Sequence, residues 1–301
     1  MRSGECKVDY IRTAQRVAPT SDTLIFTLTY NEALTIDELL NVVLALPLDA
    51  DLLVVDDLGT DGTADVLRRH ALNSPRLDYV VRPQKLGIGS AYKVAWEYAR
   101  RLGYSRAVSL DADMSHNPMD IPRLLAALDA GADVAIGSRF LKDSKLDYRG
   151  LRLFLSRSAN LSVKLVTRLP ISEYTTSFRA MRLSAIPHGL VEGISQNGYS
   201  FFFICMARFA RHRLTIKEIP IHFHERLAGR SKISKWEILR STCNLMRLAF
   251  ERDTKVRSLD MEVRDRWHAD IEHPTPTRRR TFSPNARATS NSLKAVQGRR
   301  E

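Results

Sequence analysis

The chain has 301 residues, with 46 Lys plus Arg against 34 Asp plus Glu and a formal charge of +12. At 44% apolar and 27% charged residues it is long and apolar enough to bury a substantial core, which excludes a disordered chain. No run reaches the ~18–20 apolar residues that span a bilayer. Residues 1–20 show no apolar signal-type segment, and the three cysteines are too scattered for a disulfide framework or a zinc site, which implies a reducing, cytosolic setting.

The elements alternate along the chain. Thr23–Thr29 (TLIFTLT) reads as a buried strand, and Thr35-Ile36-Asp37-Glu38 as a capping box opening a helix to about Leu46. Strand Asp51–Val55 precedes helix Thr63–His70, strand Asp78–Arg82 precedes helix Ser90–Leu102, and strand Arg106–Leu110 precedes helix Ile121–Asp129. A fifth strand follows at Asp133–Ile136. This order predicts an α/β fold: a mostly parallel, Rossmann-like sheet with helices on both faces. Residues 1–22 read as a loose lead and 23–252 as the folded domain. Residues 253–301, with Arg278-Arg279-Arg280 among Pro, Ser and Thr, read as a basic and largely disordered tail.

Ligands of such sheets sit at the carboxyl ends of the strands. Asp111-Ala112-Asp113 follows the fourth strand. Two carboxylates two residues apart on extended backbone point to one side, and they suit a hard divalent ion that completes its shell with phosphate; an Asp-rich turn capped by Asp111 is the alternative. Asp56 and Asp57 follow the second strand, placed either for a nucleotide's ribose or base or for an Asx-type turn with Asp61-Gly62. The loop Arg82–Ala91 carries Gly87 and Gly89 at a helix start, where a ligand can approach closely and anions are favoured. It lacks the third Gly of a dinucleotide fingerprint.

Nine segments in order resemble the family 2 inverting glycosyltransferases of GT-A fold, most narrowly the polyprenol-phosphate (dolichyl-phosphate) mannosyltransferases. They are Thr29-Tyr30-Asn31-Glu32; Val54-Val55-Asp56-Asp57; Lys85-Leu86-Gly87-Ile88-Gly89; Leu110-Asp111-Ala112-Asp113; Gly137-Ser138-Arg139-Phe140; Thr175-Thr176-Ser177-Phe178-Arg179; Gly198-Tyr199-Ser200-Phe201; Glu218-Ile219-Pro220-Ile221; and Glu225-Arg226 with Gly229, Ser231 and Lys232. The resemblance implies a nucleotide-sugar pocket of Leu28, Tyr30, Glu32, Val55, Asp57, Lys85, Gly89, Asp111, Ala112, Asp113, Arg139, Arg226 and Lys232. It implies Mg2+ or Mn2+ on Asp111 and Asp113, catalytic roles for Asp113, Arg139 and Arg226, and an acceptor-phosphate group of Arg139, Arg152, Ser177, Arg179 and Lys232. It also implies mannosyl transfer from GDP-mannose to a polyprenyl phosphate, with another nucleotide sugar or a non-lipid acceptor as the alternative. The chain departs from the family at Leu28, Leu58-Gly59-Thr60, Glu173 and Phe202-Phe203-Ile204.

A phosphate acceptor is mostly dianionic at neutral pH, its second pKa being about 6, and needs no general base. The stretch Tyr148–Ser172 fits such an acceptor, with Arg149, Arg152, Arg157, Lys164 and Arg168 and no acid. His116 reads as structural rather than as a base, and His222 and His224, alternating on a strand, as a solvated face or a metal pair. Leu151–Leu169 and Trp236–Phe250 are basic and amphipathic, suited to an anionic membrane surface or to packing on the sheet. Together these features predict a cytoplasmic enzyme, peripheral on the cytoplasmic membrane face, with room for a membrane-anchoring partner protein. Nucleic acid is not expected, since acids rather than Lys and Arg stand at the strand ends.

Overall fold

The structure, a computed structural model, describes residues 11–12, 16, 18–225 and 235–250. Arg226, Gly229, Ser231, Lys232, most of the 1–22 lead and the 253–301 tail lie outside the described residues. In chain order the elements are β1 (Ile11–Arg12), β2 (Thr23–Thr29), α1 (Ala33–Ala45), β3 (Asp51–Asp56), α2 (Thr63–Asn73), β4 (Leu77–Val81), α3 (Ile88–Arg101), β5 (Arg106–Asp111), α4 (Ile121–Asp129) and β6 (Val134–Ser138). They continue with β7 (Lys145–Leu146), α5 (Gly150–Thr167), β8 (Arg179–Arg182), α6 (Ser200–Arg211), β9 (Ile216–Pro220), β10 (His222–Phe223) and α7 (Lys235–Phe250).

Among the described residues, eight strands form one sheet in the order β1-β4-β3-β2-β5-β8-β6-β9, and β7 pairs with β10 in a small ribbon. Neighbours β4, β3, β2 and β5 are parallel, as are β6 and β9, while β1 and β8 run antiparallel. The sheet is thus mostly parallel, as expected. Successive side chains of a strand point to opposite faces, and here both faces are covered. Leu24, Phe26, Leu53 and Val55 pack under Tyr92 and Trp96 of α3 and Phe201 and Phe202 of α6. Ile25, Leu52, Val54 and Val108 pack under Ile36, Leu40, Leu67 and Leu124 of the opposite helices. Double coverage is why these strands read as continuous apolar runs.

The expected capping box at Thr35–Glu38 is corrected. Helix α1 begins at Ala33, and its free amide groups are satisfied from another loop. The Asp61 carboxylate accepts from the Ala33 N–H at 2.8 Å, and the Thr63 hydroxyl accepts from the Glu32 N–H at 3.1 Å. Thr35 is then free to be buried on the sheet side of the helix.

Gly89 is also reassigned, from a pocket residue to a packing residue. A Cβ at this position would stand 2.8 Å from Phe201 Cβ and 2.9 Å from the Gln196 carbonyl oxygen, so only Gly lets α3 approach α6 this closely. Gly89→Ala is expected to cost about 1–3 kcal/mol of stability by overpacking, read as a lowered urea midpoint with an unchanged slope.

Candidate functional site

Strand order reverses at β2: β3 and β4 lie on one side of it and β5 on the other. A crevice opens at the carboxyl ends of strands at such a point. Here it is a cavity of about 230 Å³ whose walls include Leu28, Tyr30, Glu32, Asp57, Lys85, Asp111, Ala112 and Asp113. Eight of the thirteen expected pocket residues therefore converge here, from three strand ends and the β4–α3 loop. Backbone strain gathers at the same place. Asn31, Leu58 and Met114 take positive φ values of 54°, 43° and 60°, each just after a strand-end residue of the cavity wall. Non-Gly residues hold this conformation only where their surroundings compel it. At Asn31 the compulsion is visible, because its side-chain oxygen accepts from the Thr60 N–H at 2.9 Å and lies against Gly59, where no Cβ would fit.

The two acids after β3 divide their work. Asp56 is turned inward, and the Thr29 hydroxyl donates to it at 2.8 Å. Asp57 lines the cavity and is held by Arg82, a fully buried guanidinium that donates to it through Nε at 2.5 Å and also through Nη2. Arg82 Nη1 donates to the Ser90 hydroxyl at 2.5 Å, which ties the first turn of α3 to the same carboxylate. Burial pushes the Asp57 carboxyl up, although Arg82 opposes the shift. Lys85 lies 4.2 Å from the centre of the Tyr30 ring, an ammonium–aromatic contact on the cavity wall.

Asp111 and Asp113 share the wall near β5. The Ser177 hydroxyl donates to Asp111 at 2.5 Å, and the Ser115 N–H donates to Asp113 at 3.1 Å. His116 stands behind them, fully buried. Its Nδ1 accepts from the Asp111 N–H at 3.1 Å, and its Nε2 lies 3.2 Å from the Thr176 hydroxyl. An Nδ1 that accepts leaves the proton on Nε2 in a neutral ring. Burial, outweighing the nearby acids, pushes the ring's pKa down. His116 stacks on Phe178 with centroids 5.0 Å apart. It is an orienting group for the Asp111 backbone, a structural position.

Arg139 is the main electrostatic surprise. It is not on the cavity wall. Its Nε and Nη2 clamp the fully buried Glu173 at 2.7 and 2.9 Å, and Nη2 also donates to the Thr175 hydroxyl at 2.9 Å. The guanidinium fork expected to hold phosphate is spent on an internal carboxylate. The Thr175 and Thr176 N–H groups also donate to Glu173, at 3.0 and 3.2 Å, so this acid folds the loop that delivers Ser177 to Asp111. Burial alone would raise the Glu173 carboxyl, but Arg139's charge and hydrogen bonds hold it below its ordinary range, while Arg139 itself is pushed up.

Two more expectations are corrected by burial. Val55 is completely buried in the core under α3, so its side chain does not line the cavity. Arg179, expected near acceptor phosphate, is fully buried. Its Nη2 donates to the Tyr174 and Phe202 carbonyls at 3.0 and 3.1 Å, and the guanidinium lies 5.2 Å from the Phe202 ring. Arg152 falls on α5, among residues whose side chains are not described. The cavity wall also holds Gly87, where close ligand approach is expected, and Thr29, Ile88, Ala91, Gly198, Tyr199 and Glu237, which are not among the expected site residues. Glu237 comes from α7, and its carboxylate accepts from the Tyr199 N–H at 2.8 Å. Its signal was an acid opening an otherwise basic helix.

A carboxyl held down in the folded state gives stability that is present above its unfolded pKa and lost as pH falls. Native stability should therefore decline as pH drops below about 4.3, and Glu173→Gln should flatten that decline. At neutral pH Glu173→Gln should cost about 3–5 kcal/mol, because it strands Arg139. Denaturant titrations at neutral and acid pH measure both effects.

Comparison with known proteins places the chain in a family. The profile of Glycosyl transferase family 2 matches residues 24–190. Polyprenol monophosphomannose synthase of Mycolicibacterium smegmatis is 36% identical over 220 residues, covering 72% of this chain and 83% of that protein. Undecaprenyl-phosphate mannosyltransferase of Micrococcus luteus is 34% identical over 200 residues, covering 66% of this chain and 82% of that one. Among solved structures, glucosyl-3-phosphoglycerate synthase of Mycobacterium tuberculosis with Mn2+ and UDP-glucose superposes with a TM-score of 0.54 at 20% identity, covering 77% of this chain and 80% of that one. That likeness concerns the fold, the GT-A arrangement. With the profile spanning more than half of its length and the acids of the family's motifs on one cavity wall, the chain belongs to Glycosyl transferase family 2 and is a glycosyltransferase.

Proposed function

We propose that the protein transfers a mannosyl residue from GDP-mannose to a polyprenyl monophosphate with inversion, releasing GDP. The observation that carries this reading is the carboxylate-walled cavity at the sheet's switch point, in a chain whose relatives are named for mannosyl transfer to polyprenyl phosphates. Asp111 and Asp113 fit a hard divalent ion, because both line the same cavity beside the strand end and carboxylate oxygens are the donors such an ion takes. Mg2+ or Mn2+ held there would offset charge on the departing diphosphate. Asp57, fixed by Arg82, and Tyr30 with Lys85 would hold the nucleoside diphosphate. Ser177 keeps Asp111 oriented through its hydroxyl.

No residue of the chain is assigned as a general base. His116 is neutral and buried with both ring nitrogens engaged, and a lipid phosphate oxygen is already anionic. Arg139 serves as a positioning residue through Glu173 and Thr175. Phosphate binding then falls to Arg226 and Lys232, outside the described residues.

The acceptor's membrane has a matching surface. No helix among the described residues is long and apolar enough to cross a membrane. Helix α5 buries little, and it exposes Leu151, Phe154, Leu155, Leu161 and Leu165 beside the exposed Arg157, Lys164 and Arg168. Helix α7 packs against it and exposes Trp236, Leu239 and Met246 near Arg240 and Arg247. Large exposed apolar side chains rimmed by cations suit an anionic bilayer surface. This supports peripheral attachment, which we place at the cytoplasmic face.

Purified protein given polyprenyl phosphate and a panel of labelled GDP- and UDP-sugars should form an organic-phase product with GDP-mannose alone. Transfer only to a water-soluble acceptor would overturn the reading. Asp113→Asn should lower turnover by at least about 100-fold with little change in melting temperature, and chelation should abolish turnover until Mg2+ or Mn2+ is restored. In flotation with anionic liposomes, replacing Leu151, Phe154 and Leu165 together by Ser should reduce the bound fraction while leaving the fold intact. Unchanged binding would remove α5 from the membrane contact.

A further inference from the structure

The ribbon of β7 and β10 carries a cluster that the transfer reaction does not use. The two strands are parallel, with His222 opposite Lys145 and Phe223 opposite Leu146. Alternation along β10 sends Phe223 inward, where it meets His116 edge-on at 5.2 Å, and puts His222 and His224 together on the other face. Their rings lie 4.0 Å apart. Asp147, the residue after β7, spans both: Oδ1 is 2.6 Å from His222 Nε2 and Oδ2 is 3.1 Å from His224 Nδ1. The three donor atoms lie within 4.8 Å of one another, and the side chains are about two-fifths exposed. A tetrahedral ion with bonds of about 2.0–2.1 Å sets its ligand atoms about 3.3 Å apart, so small side-chain rotations would close this group around a metal.

We propose that Asp147, His222 and His224 form a second metal site, separate from the Asp111 and Asp113 pair, that takes a divalent ion of the zinc class. Two imidazoles and one carboxylate are the donors of borderline transition ions, whereas magnesium prefers oxygen alone. Three protein ligands leave one position for water. The site is set apart from the nucleotide cavity, whose walls include none of the three residues. Lys145, in register with His222, is exposed, so solvent screens its charge against the ion. The ion would clamp β10 to the chain entering α5. The clamp bears on the loop after β5 that carries Asp113, because the His224 N–H donates to the Ser115 carbonyl at 2.9 Å and Phe223 packs on His116.

The test uses the full chain without an affinity tag, carrying Asp111→Asn and Asp113→Asn so that the first site does not report. Zn2+ is titrated against a chromogenic chelator. The expected result is about one bound equivalent, with affinity falling at least about tenfold in His222→Gln, His224→Gln and Asp147→Asn. Bound zinc should also raise the melting temperature, and only while all three residues are present. Because the side chains are partly exposed, the variants should melt normally without metal, which separates lost ligation from lost folding. His268→Gln with His273→Gln, the histidines of the tail, should change nothing. Absence of zinc binding, or binding that survives His222→Gln with His224→Gln, overturns the proposal.

Discussion

Glu173 is wholly buried and ionised, and the loop that contains it is built to satisfy it. It accepts from Arg139 through both oxygens, from the Thr175 hydroxyl and from two backbone amides. The backbone of the same loop is held from outside: Glu218 accepts from the Ser172 and Glu173 N–H groups, and Asn160 accepts from Tyr174. A buried ion pair contributes little net stability, because desolvation offsets the attraction, but removal of one partner is costly. Its effect is conformational. With Glu173 satisfied in this way, Thr176 meets His116 and Ser177 meets Asp111, and the Asp111 carboxylate on the cavity wall is oriented by a chain of contacts that begins in the protein interior.

The sheet supplies the rest of the preorganisation. Because both faces of β2, β3 and β5 are covered, their carboxyl ends are rigid platforms, and a side chain placed there is located by the core. The strained residues Asn31, Leu58 and Met114 lie where those platforms end. Stiff strands and tight turns together bring Glu32, Asp57, Asp111 and Asp113 to one cavity and lower the ordering cost of ligand binding.

The fold sorts the excess of positive charge into distinct uses. Arg82, Arg139 and Arg179 are internal cations that brace Asp57, Glu173 and two backbone carbonyls respectively. Arg157 and Lys164 on α5, Arg168 just past its end, and Arg240 and Arg247 on α7 stand exposed beside large apolar side chains. Net charge alone suggests a polyanion as partner. Burial separates the cations that hold the protein together from those free to meet such a partner.

The amino-acid sequence by itself determined the alternating α/β order, the strand ends that carry acids and the family motifs. Each of these depends on local periodicity or on residues adjacent in the chain, so Asp57, Asp111 and Asp113 were legible before any coordinates. The apolar and basic character of α5 was legible for the same reason. Pairing across the chain was not. Arg139 and Arg179 look alike as basic motif residues, and only the tertiary structure shows that one meets a buried carboxylate 34 residues away and the other meets carbonyls under α6. Val55 and Gly89 sit inside true motifs yet face the core, because motif membership does not say which side of a strand or helix is lined by ligand. Glu237 and the Asp147–His222–His224 group come together from segments far apart in sequence. Long-range contacts of this kind depend on strand order and register, which local sequence does not encode.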